Sequence, residues 1–142
     1  MKIARFTPLL ALAVLASGCD VLDDPRPESA TLFIDGPAGE QVLLTISDKF
    51  VAAKPAAGPI EVELLESDVI TVTLPFDTTV VFTPDLRVFF QAEGLEEGRT
   101  VRMRVWVDEE SRFDVSRDPF INPMSFLFQY NGRLFGSDVN LL

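Results

Sequence analysis

The sequence predicts an all-β fold: an antiparallel β-sandwich over residues 31–142, behind an N-terminal leader and a short tether. Three observations carry that prediction. From Thr31 onward apolar and polar residues alternate with a period of two. Turn-forming residues interrupt the alternation about every 8–12 positions. No stretch of the domain shows the 3.6-residue period of an amphipathic helix.

The chain begins with a basic n-region, Lys2 and Arg5, followed by an apolar run from Phe6 to Leu15. That is the layout of a secretory signal peptide. A membrane span needs roughly 20 apolar residues, about twice this run, and Pro8 interrupts it. The run closes on Ala16-Ser17-Gly18-Cys19, which contains the only cysteine in the chain. This segment resembles the lipobox of bacterial lipoproteins, with Ala16 where that family favours leucine. The resemblance implies cleavage between Gly18 and Cys19, diacylglycerol on the Cys19 sulfur and an acyl group on its new amine. No other cofactor is expected. A lone free thiol in an oxidising compartment is a liability, which agrees with a lipidated cysteine. Two or three acyl chains anchor a protein stably where one does not. Residues 1–18 are therefore expected to be removed, and residues 19–30 to hold the lipid and a tether. Asp20 resembles the inner-membrane retention signal of enteric bacteria; other groups sort differently, so the leaflet stays open.

Removing the first 18 of 142 residues leaves 124, enough for one domain. Such a domain buries roughly two thirds of its unfolded surface and folds without disulfides. The leader holds two of the 12 basic residues and none of the 22 acidic ones, so the mature net charge is −12. That charge opposes nucleic-acid binding. The chain contains no histidine. It thereby lacks the usual general base, the usual zinc ligand and the Ser-His and Cys-His nucleophile systems.

Asp20 to Ala30, with Asp23-Asp24-Pro25-Arg26-Pro27-Glu28, is charged and proline-bearing and reads as an extended tether. Thr31–Asp35 is the first strand, closed by Gly36-Pro37-Ala38-Gly39. Gln41–Ser47 turns Val42, Leu44 and Ile46 to one face. Residues 49–59 read as a loop with a short segment at Phe50-Val51. Ile60–Leu65 offers Val62 and Leu64 to a core, and Val69–Leu74 offers Ile70, Val72 and Leu74. Thr79–Thr83 runs into Pro84 and reads as an edge or a corner. Leu86–Ala92 and Thr100–Val107 read as a hairpin joined through residues 93–99. Asp108-Glu109-Glu110 turns the chain into Ser111–Ser116. Ser125–Tyr130 aligns Phe126, Phe128 and Tyr130, and Asn131-Gly132 predicts a type I′ turn into Arg133-Leu134-Phe135. Eight or nine short strands of this kind fit an immunoglobulin-like or transthyretin-like sandwich.

One strand face stands out chemically. Arg102, Arg104 and Trp106 project from the side opposite Val101, Met103, Val105 and Val107, with Arg87 and Phe89 expected on the neighbouring strand. Arginines beside an indole suit a glycan, a peptide or an anionic metabolite, through forked hydrogen bonds and cation–π stacking. The plainer reading is a solvated face where these arginines pair with Glu61 and Glu63, each pair contributing about 0.2–1 kcal/mol. Phe89-Phe90 reads as core on both sides of one sheet. The acidic runs Asp108-Glu109-Glu110 and Glu93, Glu96, Glu97 lack the spacing of an EF-hand, and no metal site is expected. Ser47-Asp48-Lys49 lacks the Ser-x-x-Lys spacing, and no carboxylate pair is singled out for glycoside hydrolysis.

The expected protein is thus a non-catalytic lipoprotein of the bacterial envelope, held to a membrane by its lipid. Its sandwich would act as a structural or protein-interaction module among envelope proteins. The alternatives are a ligand-binding lipoprotein using the arginine–tryptophan face, and an accessory subunit of a secretion or assembly machine. The last rests on the similar size and anchoring of small type VI secretion lipoproteins alone.

Overall fold

The alternation resolves into two sheets in the computed structural model, which describes residues 26–142. Gly18 and Cys19, with the expected cleavage and lipidation, lie outside the described residues. The strands are β1 (Ser29–Asp35), β2 (Gln41–Ala53), β3 (Ile60–Thr73), β4 (Phe76–Val81), β5 (Arg87–Gly94), β6 (Val101–Val107), β7 (Glu110–Arg117), β8 (Met124–Gln129), β9 (Leu134–Gly136) and β10 (Val139–Leu141). The first sheet has the order β4-β1-β6-β7, and the second β10-β3-β2-β5-β8-β9. All pairings are antiparallel except β10 on β3. The fold is an all-β sandwich.

Between the sheets lies the main core. Leu32 and Ile34 of β1 and Met103 and Val105 of β6 meet Val42, Leu44, Val88, Phe90, Phe126 and Phe128 of the second sheet. The alternation foreseen on β6 is the alternation observed, with Val101, Met103, Val105 and Val107 buried and Arg102 exposed. β4 is an edge strand of its sheet, as Pro84 implied.

A second core sits on the opposite face of the larger sheet, where Phe50, Ile60, Val62, Phe89 and Leu127 pack with Leu64, Leu134 and Val139. Phe89 and Phe90 therefore do face two cores, and their rings are fully buried. A pair of bulges makes this possible. Register shifts at Ile46/Lys49 and Lys49/Phe50 put an extra residue first in β2 and then in β3. The Ser47 hydroxyl holds the kink by donating to the Glu66 carbonyl (2.6 Å) and accepting from the Lys49 amide (3.1 Å). Past the kink the apolar side of both strands has changed face, so Val42 and Leu44 serve one core and Phe50 the other.

Several sequence expectations are corrected. Leu86–Ala92 and Thr100–Val107 are not a hairpin: β5 pairs with β2 and β8, while β6 pairs with β1 and β7 in the other sheet. The reason is burial, because β5 is covered on both faces and must lie inside the larger sheet. Residues 60–73 form one strand rather than two, since the bulge keeps Glu66 and Asp68 in register with β2. Likewise β2 runs on to Ala53, and the following loop is shorter than expected. Ile70, paired with Leu44 of β2, is 42% exposed where the other edge of β3 lies beyond the reach of β10, which pairs only with Ile60–Val62. Asn131-Gly132 does not form a type I′ turn, which needs positive φ at both residues. The turn is instead closed by the Arg133 amide on the Tyr130 carbonyl (3.0 Å), with Arg133 itself at φ +47°. Order also begins earlier than Thr31: Pro27 is buried and β1 starts at Ser29.

Candidate functional site

The outward face of the first sheet carries the predicted Arg102, Arg104 and Trp106. Cross-strand register sets Arg104 beside Phe33 of β1 and Asp114 of β7, and Trp106 beside Thr31. The Arg104 guanidinium lies 4.6 Å from the Phe33 ring centroid and 5.5 Å from that of Trp106. It lies over both rings, and its buried Nε has no hydrogen-bond partner among the described residues. Arg102 is engaged differently. Its Nε and Nη2 each donate to one Asp114 oxygen at 2.7 Å, a forked ion pair that holds the Asp114 carboxyl below its ordinary range. Arg104 is thus the available cation of this face, and Arg102 is committed to structure.

Arg87 does not belong to this face. It lies on β5 in the other sheet, where Nε donates to the Asp48 carbonyl and Nη1 to the Phe50 carbonyl, both at 2.8 Å. Its guanidinium also stacks on Phe50 at 5.4 Å and pairs with Asp85. It ties the kinked β2 segment to β5, a structural duty. Glu61 and Glu63 lie on β3, also in the other sheet, so the carboxylate that balances the arginine face is Asp114. Phe33 was missed as a site residue, although the inward Leu32 and Ile34 already imply that it faces out.

The second candidate is an open cleft of about 1010 Å³ at the end of the sandwich where the described chain begins. Pro27 forms one wall. The β6–β7 turn supplies Asp108 and Glu109, β7 supplies Glu110 and Arg112, and the β8–β9 hairpin supplies Gln129, Tyr130, Arg133 and Phe135. Among the described residues, three non-glycines have positive φ: Leu86 (+49°), Asp108 (+53°) and Arg133 (+47°). Asp108 and Arg133 line the cleft, and Leu86 is tied to it by the Tyr130 amide, which donates to its carbonyl at 3.0 Å. Such strained residues persist where the surroundings over-determine them, often at functional sites. For Asp108 the restraint is visible. Its Oδ1 accepts from the Glu28 amide (3.0 Å) and the Ser29 amide (3.1 Å), and its own amide donates to the Ser29 carbonyl (2.9 Å). The entry of the chain into β1 is thereby fastened to the cleft.

No periodicity could have revealed this cleft, because three segments distant in sequence build it. Among the described residues, no group of three potential metal-ligating side chains converges. No protein-family model matches the chain, and no curated protein matches it in sequence.

Proposed function

We propose that this chain is a lipid-anchored lipoprotein of the bacterial envelope whose β-sandwich is a non-catalytic interaction module, with the cleft end as its working surface. One observation supports that choice of surface: the strained Asp108 and Arg133 and the entry point of the chain all meet at the same cleft. From Cys19 to Pro27 the backbone spans at most about 30 Å, so a lipid on Cys19 would keep the cleft within that distance of the bilayer. Recognition surfaces on β-sandwiches commonly lie in the loops at one end. The absence of histidine from the whole sequence agrees with binding rather than turnover.

The anchor is tested by feeding an alkyne-tagged palmitate to bacteria expressing the chain. Label is expected in the wild-type protein, in the membrane pellet, and not in Cys19→Ser. Equal labelling of both, or none in either, would contradict the lipid reading.

A second reading is favoured by the Arg104 geometry: a ligand site on the outward face of the first sheet for a glycan, a peptide or an anionic metabolite. A cation held over Phe33 and beside Trp106 is a preorganised donor. Trp106 is the only tryptophan, so its fluorescence reports on that face directly. Unchanged emission across a glycan and metabolite panel would remove this reading.

A further inference from the structure

The two sheets of this sandwich do not match in width, four strands facing six. β7, the last strand of the smaller sheet, lies over β8, with the Phe113 and Phe126 rings 5.8 Å apart. β9 continues the larger sheet one strand further. Phe135 shares the inward face of β9 with its cross-strand neighbour Phe128, and its ring meets Phe126 edge-on at 6.3 Å. Yet Phe135 is 52% exposed, because among the described residues the smaller sheet has no strand above it. The space beside β7 and above β9 is the cleft, lined on one side by Glu110 and Arg112 and on the other by Leu134 and Phe135.

We infer that this cleft accepts an extended peptide segment of another protein as a fifth strand of the smaller sheet, hydrogen-bonded to the edge of β7 that is unpaired among the described residues and burying an apolar side chain on Phe135. An unpaired edge presents main-chain donors and acceptors ready for strand addition, and alternate side chains then supply specificity. The bulge between Val105 and Trp106 adds Arg112 to β7, and Arg112 lines the cleft. Arg112 is already paired with Glu110, whereas Arg133 lines the same space with no ion pair among the described residues. The complementary segment therefore carries an acidic residue at the end that meets Arg133. A second copy of this chain does not fit: docking through its own β7 would drive its β8 into the volume that β9 occupies. A lone strand has no such layer beneath it.

This inference deepens the interaction reading by naming the partner's chemistry, and its failure is separable from failure of the anchor, which acyl labelling tests alone. The probes are acetylated, amidated octapeptides with Phe, Leu or Val at alternate positions, Thr between them and Glu at one end or the other. They are titrated against the full chain extracted from membranes in detergent, with amide hydrogen exchange as the readout. Slowed exchange confined to residues 110–117 is expected for at least one peptide. Phe135→Asp should weaken that peptide by about tenfold or more, and Arg133→Glu by severalfold. The same peptide with alternate amides N-methylated should not bind, because it cannot complete the ladder. No protection from any peptide, protection of the open β3 edge at residues 64–73 instead, or equal binding of the methylated peptide would each overturn the inference. Phe135→Leu, which keeps an apolar surface, guards against loss through misfolding and should retain binding.

Discussion

Asp108 fastens the start of the domain to the cleft, and replacing it separates two contributions. Its side chain accepts two amide hydrogen bonds, at 3.0 and 3.1 Å, from Glu28 and Ser29. Bonds to a carboxylate contribute about 1.5–3 kcal/mol each when shielded, and this pair is solvent-exposed, so about 0.5–1 kcal/mol each is a fair figure. Its backbone sits at φ +53°, a region that aspartate adopts more readily than alanine, worth about a further 1 kcal/mol. Asp108→Ala should therefore cost about 2–3 kcal/mol. Asp108→Gly removes the bonds but relieves the backbone, and should cost about 1–2 kcal/mol. Asp108→Asn keeps an acceptor and tolerates φ > 0, and should cost less than about 1 kcal/mol. In urea, with a slope of about 1–3 kcal/mol/M, the alanine variant should unfold about 1 M earlier than wild type. Equal midpoints for the alanine and glycine variants would refute the backbone part. A wild-type midpoint for alanine would refute both.

The two cores make Phe89→Ala and Phe90→Ala each costly, by about 3–5 kcal/mol in urea denaturation, although the residues are adjacent and point oppositely. Gly94→Ala would place a Cβ 2.6 Å from the Phe120 amide nitrogen and should destabilise by more than about 1 kcal/mol. Gly136→Ala meets only the flexible tip of Ile60, also at 2.6 Å, and should cost clearly less in the same assay. The Asp114 carboxyl titrates below its ordinary value near 3.8 because of Arg102, so its contribution is present above that pH and is lost as pH falls further. Acid unfolding of Asp114→Asn should accordingly show a shallower loss of stability below about pH 4 than wild type, read by circular dichroism.

The strand faces were legible wherever one side of a strand is wet. On β6 the residues Arg102, Arg104 and Trp106 alternate with four aliphatics, and that pattern alone fixes which side each occupies. Pairing was not legible, because alternation states which face is buried and not which neighbour lies alongside. β5 shows this: it reads as the partner of β6, yet its two-sided burial places it in the other sheet. The kink at Ser47 was hidden for another reason. A bulge shifts the period by one residue, so Asp48-Lys49 reads as the start of a loop when the strand in fact continues. Arg87 was misplaced with β5, Arg102 is bound to Asp114, and Arg104 lies over Phe33 and Trp106. The cleft had no local signature, since Pro27, the Asp108–Arg112 segment and Phe135 come from separate parts of the chain.

The most direct test of lipid anchoring is the mass of the N-terminal peptide from protein purified out of bacterial membranes. A peptide beginning at Cys19 and carrying diacylglycerol, with or without a third acyl group, is the expected result. A peptide retaining Gly18 upstream, or a Cys19 with an unmodified thiol, would contradict it.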